Sequence, residues 1–119
     1  MYISESDKTL IRQLIEKQLR AFQENDCKTA FALASPTIQS RFTPPDFVRA
    51  LGSRYSAILK PRSFMFQSFT SVENFPALTA LIMDRSGNLA KAIFVLQHQP
   101  DFSWRVHGYE LIGVNERIV

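Results

Sequence analysis

The chain predicts an α+β fold, with N-terminal helices packed on one face of an antiparallel sheet of about four strands. Three observations carry this. Residues 4–59 place their apolar side chains at helical spacing. Residues 63–114 instead show short runs rich in Phe, Ile, Val and Leu, separated by turn residues. The chain then closes on a hairpin over residues 92–106, two apolar arms around Gln99-Pro100-Asp101-Phe102-Ser103. Helices first and strands afterwards is the order of an α+β domain. A doubly wound nucleotide-binding sheet needs the two to alternate, so that class is excluded.

The first helix starts at Ser4 or Ser6, where a hydroxyl can cap it and Asp7 adds a carboxylate to the first turn. Leu10, Ile11, Leu14, Ile15, Leu19 and Phe22 make its apolar stripe. Arg12, Glu16 and Arg20 form a row of i,i+4 neighbours that reads as ion pairing on a wet surface. Asn25-Asp26 ends the helix, and Asp26 caps a short second one over 26–34. Ser35-Pro36 and Thr43-Pro44-Pro45-Asp46 each restart the chain with a hydroxyl cap and a proline in the first turn. Phe47, Val48, Leu51 and Tyr55 continue the helical spacing until Lys60-Pro61 stops it.

The strands begin near Ser63. Phe64, Phe66 and Ser68 are expected on one face, with Met65, Gln67 and Phe69 on the other. Asn74-Phe75-Pro76 breaks the run. Residues 77–84 and 89–98 are apolar on both faces in their middles, joined through Arg85-Ser86-Gly87-Asn88, where Gly and Asn tolerate positive φ. In the last strand, 104–114, the apolar phase moves from Trp104 and Val106 to Tyr109 and Leu111. Gly108 lies at the shift, which predicts a bulge there. An antiparallel sheet with one wet face usually alternates apolar with polar. These strands do not, so something should cover the second face, and a homodimer packed sheet to sheet is the expected cover.

The length of 119 residues suits one domain, 1–119. A chain of this size buries about 65% of its unfolded surface and folds without a disulfide or a metal. Ten Phe residues imply a bulky core, an apolar cavity or a buried partner surface. The formal charge of +3 falls short of a nucleic-acid binder. Its excess is concentrated in Arg41, Arg49, Arg54, Lys60 and Arg62, opposed only by Asp46. A solvated helical face is the first reading of that stretch and an acidic ligand or partner the second. The single Cys27, near Ala30 and Phe31, reads as a buried, inert thiol. The polar start Met1-Tyr2-Ile3-Ser4-Glu5 is no signal peptide and no apolar run is long enough to span a bilayer, so a cytoplasmic protein with no membrane partner is expected.

Helices followed by a curved antiparallel sheet resemble the nuclear transport factor 2-like fold, also called cystatin-like. More locally, Ala30-Phe31-Ala32-Leu33-Ala34-Ser35-Pro36-Thr37-Ile38-Gln39, with Phe42, Phe47 and Tyr55 after it, resembles the bacterial family named domain of unknown function 4864. The stretch Gln99-Pro100-Asp101-Phe102-Ser103-Trp104-Arg105-Val106-His107-Gly108 is similar to that family's closing hairpin. Phe102 stands where the family usually has Gly, and Tyr109 where it often has Cys. The family brings no established activity. The wider fold implies a cone in which the curved sheet wraps a helix and leaves an apolar pocket at its open end; some relatives place acid–base residues there and others bind ligands or assemble. Tyr55, Phe66, Phe94, Trp104, His107 and Tyr109 are the expected pocket lining.

An isomerase or lyase of that shape needs a carboxylate or His base in the pocket, facing a donor such as Tyr. Asp84, Glu110, His98 and His107 are the candidate bases, with Tyr55 and Tyr109 as donors. Asp84 reads better as a turn cap, Glu110 as a rim residue and Trp104 as a core anchor. His98 and His107 can share a face in some registers but lack a third metal ligand, so neither a metal nor another cofactor is expected. There is no phosphate loop, nucleophile elbow or paired Cys motif. The expected function is therefore a small-ligand-binding or assembly module with an apolar cone pocket. The alternatives are a lyase or isomerase on a small organic substrate, like ketosteroid isomerase or a polyketide cyclase, and a protein-interaction subunit using the basic helices.

Overall fold

Capping side chains decide where the helices start. The structure, a computed structural model, describes residues 3–113. Helix α1 (Glu5–Gln23) opens where Ser4 Oγ accepts from the Asp7 N–H at 3.1 Å. Asn25, at φ 59°, breaks the chain, and Asp26 accepts from the Thr29 N–H to start α2 (Cys27–Ala32). Ser35 and Thr43, each followed by proline, cap α3 (Pro36–Arg41) and α4 (Pro44–Arg54) in the same way. The sequence suggests one continuous run to Lys60. The chain instead turns at Tyr55 and makes a separate α5 (Ser56–Leu59). Gly52 permits this: a Cβ there would lie 3.2 Å from Leu59 Cδ1.

The strands β1 (Pro61–Val72), β2 (Phe75–Asp84), β3 (Leu89–His98) and β4 (Trp104–Gly113) form one antiparallel sheet in the order β1-β2-β3-β4. The expected α+β class, helices and then a four-stranded antiparallel sheet, is what the molecule shows. Val114, where the sequence reading ends the last strand, lies outside the described residues, as do Met1 and Tyr2. The first turn falls earlier than expected. Glu73 and Asn74, at φ 49° and 70°, make a two-residue turn, and Phe75 and Pro76 already belong to β2, opposite Val72 and Ser71. Pro76 escapes the usual exclusion from strands because it stands at the strand's start. The second turn is held by Asp84, whose Oδ1 accepts from the Ser86 and Asn88 N–H groups at 2.9 Å each, with Gly87 at φ 85°.

Two bulges set which side chains face the helices. In β1 the partners run Phe66 to Ala80 and then Phe69 to Leu78, so Gln67 and Ser68 together oppose Thr79. The extra residue moves Phe69 onto the helix side with Phe64 and Phe66, which corrects the simple alternation. Thr79 Oγ1 ties the bulge down: it accepts from the Ser68 N–H and donates to the Ser68 carbonyl, both at 3.2 Å. In β4, Val95 pairs with Gly108 and Leu96 with Val106, leaving His107 extra. This is the bulge that Gly108 predicts, and it brings Tyr109 and Leu111 onto the face of Trp104 and Val106.

The core lies between α1 and the sheet. Ile11, Ile15, Leu19 and Phe22 meet Leu78, Ala80, Ile82, Ala92, Phe94 and Leu96. Leu10, expected in the α1 stripe, is 47% exposed, because the stripe runs through Ile11, Ile15, Gln18 and Phe22 instead. The row opposite is not simply wet. Glu16 and Arg20 pair at 3.5 Å, yet Arg20 also covers the Phe64 ring, and Lys8 and Arg12 cover that of Phe69. The outer sheet face is mixed rather than uniformly apolar: Met65 (60%) and Ile112 (51%) are exposed, but Thr79, Lys91 and Glu110 stand among its apolar residues.

Candidate functional site

An apolar cleft of about 240 Å³ opens between α3, α4 and β4. Ile38 and Phe42 form one wall, Phe47, Ala50 and Leu51 another, and Tyr55, at the end of α4, and Tyr109, on β4, complete it. The prolines and caps that start α3 and α4 set both helices against β4, while the His107 bulge turns Tyr109 toward them. Phe47 is the hub of the floor. Its ring lies 5.4 Å from Phe31, 6.2 Å from Tyr109, 6.3 Å from Phe22 and 6.5 Å from Phe42. Tyr109 in turn stands edge-on to Phe94 at 5.9 Å and 6.4 Å from Tyr55.

The polar end of Tyr109 is used inward. Its hydroxyl donates to Gln18 Oε1 at 2.9 Å, and Gln18 Nε2 donates to the Ala30 carbonyl at 2.9 Å. Gln18 is fully buried, so both halves of its amide are satisfied inside the core. Burial pushes the Tyr109 phenol well above its ordinary value, and the bond to Gln18 only partly opposes this. The phenol therefore stays protonated and shows the cleft a ring rather than a reactive oxygen. At the rim, the exposed Arg54 holds its guanidinium 5.8 Å from the Tyr55 ring centroid. Among the described residues no carboxylate forms an ion pair with it. A second, more open hollow of about 470 Å³ continues past Arg54 and Tyr55 to Glu110, Leu111 and Ile112.

Of the residues expected to line a pocket, the structure brings Tyr55 and Tyr109 together in this cleft. Phe94 is fully buried behind Tyr109. Phe66 lies with Phe64, 5.9 Å away, on β1. Trp104 sits at the start of β4, its Nε1 donating to Asp7 Oδ1 at 3.2 Å and its ring stacked on His98 at 4.3 Å. His107 faces a separate hollow of about 240 Å³, with Nδ1 2.9 Å from Ser35 Oγ and its ring 5.0 Å from Phe75. Gln18, Phe42 and Phe47 complete the cleft and its support. The signal for Gln18 was present in the sequence: an amide at a stripe position between Ile15 and Phe22 has to find partners inside.

Among the described residues, no Asp, Glu or His lines the cleft. Asp84 caps its turn, and hydrogen bonds from Asn88 hold its carboxyl below the ordinary 3.8. Glu110 is exposed. The two histidines do not meet, because the bulge sends His107 toward Ser35 while His98 pairs across the strands with Trp104 and donates from Nε2 to the Phe102 carbonyl at 3.2 Å. Among the described residues, no three His, Cys, Asp or Glu side chains gather as a metal site requires. Cys27 is half-buried rather than buried, since it opens α2 with Sγ 3.9 Å from the Asn25 carbonyl. In the basic stretch, Arg49 pairs with Asp46 at 2.6 Å and Lys60 donates to Asn25 Oδ1 at 2.6 Å. No described helix is long and apolar enough to cross a membrane.

Helices that lead into a four-stranded antiparallel sheet, with an apolar cleft where α3 and α4 meet β4, define an α+β domain whose site is built of rings rather than of titratable groups. The chain belongs to the family described as domain of unknown function (DUF4864), whose model matches residues 4–119. No curated protein and no solved structure matches the chain.

Proposed function

We propose that residues 1–119 form one domain of nuclear transport factor 2-like type that binds a small apolar or amphipathic molecule in the cleft under α4. The helices-first order and open antiparallel sheet are consistent with that fold. The observation that carries the reading is the lining: aromatic and aliphatic side chains around about 240 Å³, with Arg54 at the mouth. That volume equals about eight waters of liquid, enough for a short acyl chain or one ring. The apolar part lies against Phe47 and Tyr109, and an anionic end points to Arg54. A lining of rings and aliphatic groups, without a carboxylate or imidazole among the described residues, favours binding over the lyase or isomerase alternative.

Straight-chain carboxylic acids of increasing length test this, with binding followed by amide shifts in NMR spectra. Affinity is expected to rise about fourfold per added methylene, the equivalent of ~0.8 kcal/mol, until the cleft is full. Ala50→Trp should abolish the shifts. Arg54→Gln should weaken the acids but not the matching alcohols. Shifts that avoid Phe47, Leu51 and Tyr109, or no shifts at millimolar acid, sink the reading.

The second part of the reading is assembly: a cytoplasmic homodimer formed through the sheet. The exposed Met65 and Ile112 support a contact on the sheet's outer face. The basic helices favour an interaction subunit less, because Arg49 and Lys60 already have partners within the chain.

A further inference from the structure

The two edges of the sheet are treated very differently. The β4 edge is protected three times over. The 33–35 segment pairs with it, Ser35 N–H donating to the Val106 carbonyl at 2.8 Å and Val106 N–H to the Leu33 carbonyl at 3.0 Å. A bulge follows at His107, and Arg105 and Glu110 add charge. These are the devices that keep foreign strands away. The β1 edge has few of them. From Ser63 to Val72 it runs ten residues without a charge or a proline. Its two irregularities leave this stretch open: one, at Pro61 and Arg62, precedes it, and the other is tied inward through the Ser68 backbone bonds to Thr79. Among the described residues no other strand lies beside it.

The free edge is also self-complementary. Val72 and Phe75 flank a two-residue turn and so exchange hydrogen bonds. Alternation then turns the N–H and C=O groups of Ser71 and Phe69 away from β2. Beyond the bulge the outward groups resume at Phe66 and Phe64. An antiparallel copy centred on Gln67 and Ser68 sets Phe64 opposite Ser71 and Phe66 opposite Phe69, all four on the helix side. Met65 meets Thr70 on the outer side. Every outward group finds an outward group, giving about eight main-chain hydrogen bonds, within the range of a specific interface. A groove of about 430 Å³ lies where a partner side chain would enter, between Ile3, Glu5 and Lys8 of the α1 start and Phe69, Ser71 and Pro76.

We propose that β1 is a homotypic docking edge, on which β1 of a second copy pairs antiparallel about Gln67 and Ser68 and seats the partner's Phe64 in the groove beside Ser71. This rests on the assembly reading above and moves its contact from the sheet face to the sheet edge. The pairing is isologous and uses up both free edges. Because the β4 edge is blocked, growth stops at two copies.

Sedimentation velocity over the micromolar range tests the proposal together with amide hydrogen exchange. The wild-type chain is expected to double its mass as concentration rises, while the amides of Phe64, Phe66, Phe69 and Ser71 slow at least tenfold. Ser71→Pro removes one outward N–H, leaves the β1–β2 ladder intact, and is expected to be monomeric with an unchanged circular dichroism spectrum. If that variant does not fold, Gln67→Lys places two cations side by side on the two-fold axis and should do the same. Leu81→Lys, on the outer face, should stay dimeric. A dimer broken by Leu81→Lys but not by the β1 variants overturns the edge proposal and leaves face-to-face assembly standing. A chain that is monomeric throughout overturns both.

Discussion

Replacing Tyr109 by Phe removes one oxygen and little volume, so its consequence is almost purely one of hydrogen bonding. The hydroxyl is the donor to Gln18 Oε1, and Gln18 is fully buried. In Tyr109→Phe that amide oxygen is left facing rings. An unpartnered buried acceptor costs about 1–3 kcal/mol. With an unfolding entropy of ~2.1 cal/mol/K per residue, a chain of 119 residues should melt about 4–12 °C lower. Thermal melts followed by circular dichroism measure this directly. Adding Gln18→Met to the Phe variant removes the orphaned acceptor, though it also frees the Ala30 carbonyl. The double variant should therefore regain part of the loss, with a coupling of about 0.5–3 kcal/mol. A Tyr109→Phe protein that melts within about 1 °C of wild type would show that the hydroxyl does not hold Gln18, and the account of the cleft's inner wall would fail.

Two further outcomes follow from local chemistry. Phe102 sits at φ 68° and is 76% exposed; a left-handed conformation costs a side-chain-bearing residue about 1–2 kcal/mol, of which glycine's looser unfolded chain offsets about 0.5–1. Phe102→Gly should thus raise the urea midpoint by the equivalent of roughly 0.5–1 kcal/mol, and a lower midpoint would mean that the ring's contact with His98 outweighs the strain. Asp7, Asp26, Asp84 and Asp101 are all held below the ordinary 3.8 by hydrogen bonds, chiefly from Ser4, Thr29, Asn88 and Ser103 respectively. Their folded values lie under the unfolded one, so the stability they add is complete above about pH 4 and fades as the pH falls through the folded values. Urea midpoints that hold steady down to about pH 2 would contradict this.

Much of the fold could be read locally. Ser4, Asp26, Ser35-Pro36 and Thr43-Pro44 mark helix starts because a cap acts on the next three residues, whatever the rest of the chain does. Asp84 and Gly108 announced their turn and bulge for the same reason. The bulge at Gln67 and Ser68 carries no glycine. It is held by Thr79, which lies eleven residues from Ser68, so alternation misplaced Phe69. The site was less legible because it depends on strand register. Tyr55 and Tyr109 converge on the cleft, whereas Trp104 and His107, on the same strand as Tyr109, face Asp7 and Ser35. Nothing within β4 alone separates these fates, since the docking of α1 and α3 decides them. Gln18 was the exception, a polar residue out of place in an apolar stripe.

The supernumerary residue at His107 works like a gear tooth between the two halves of β4. Were the same residues paired in plain alternation, with His107 taking a full place in the ladder, the parity of everything downstream would invert: Glu110 and Ile112 would turn toward Gln18 and α4, and Tyr109 would look out into water. Deleting His107 removes the bulge together with the extra residue, so Tyr109 keeps its inward place opposite Phe94 and the ring-lined hollow survives. What the interior shows thus rests on the strand absorbing its surplus residue as a kink instead of carrying it along the ladder.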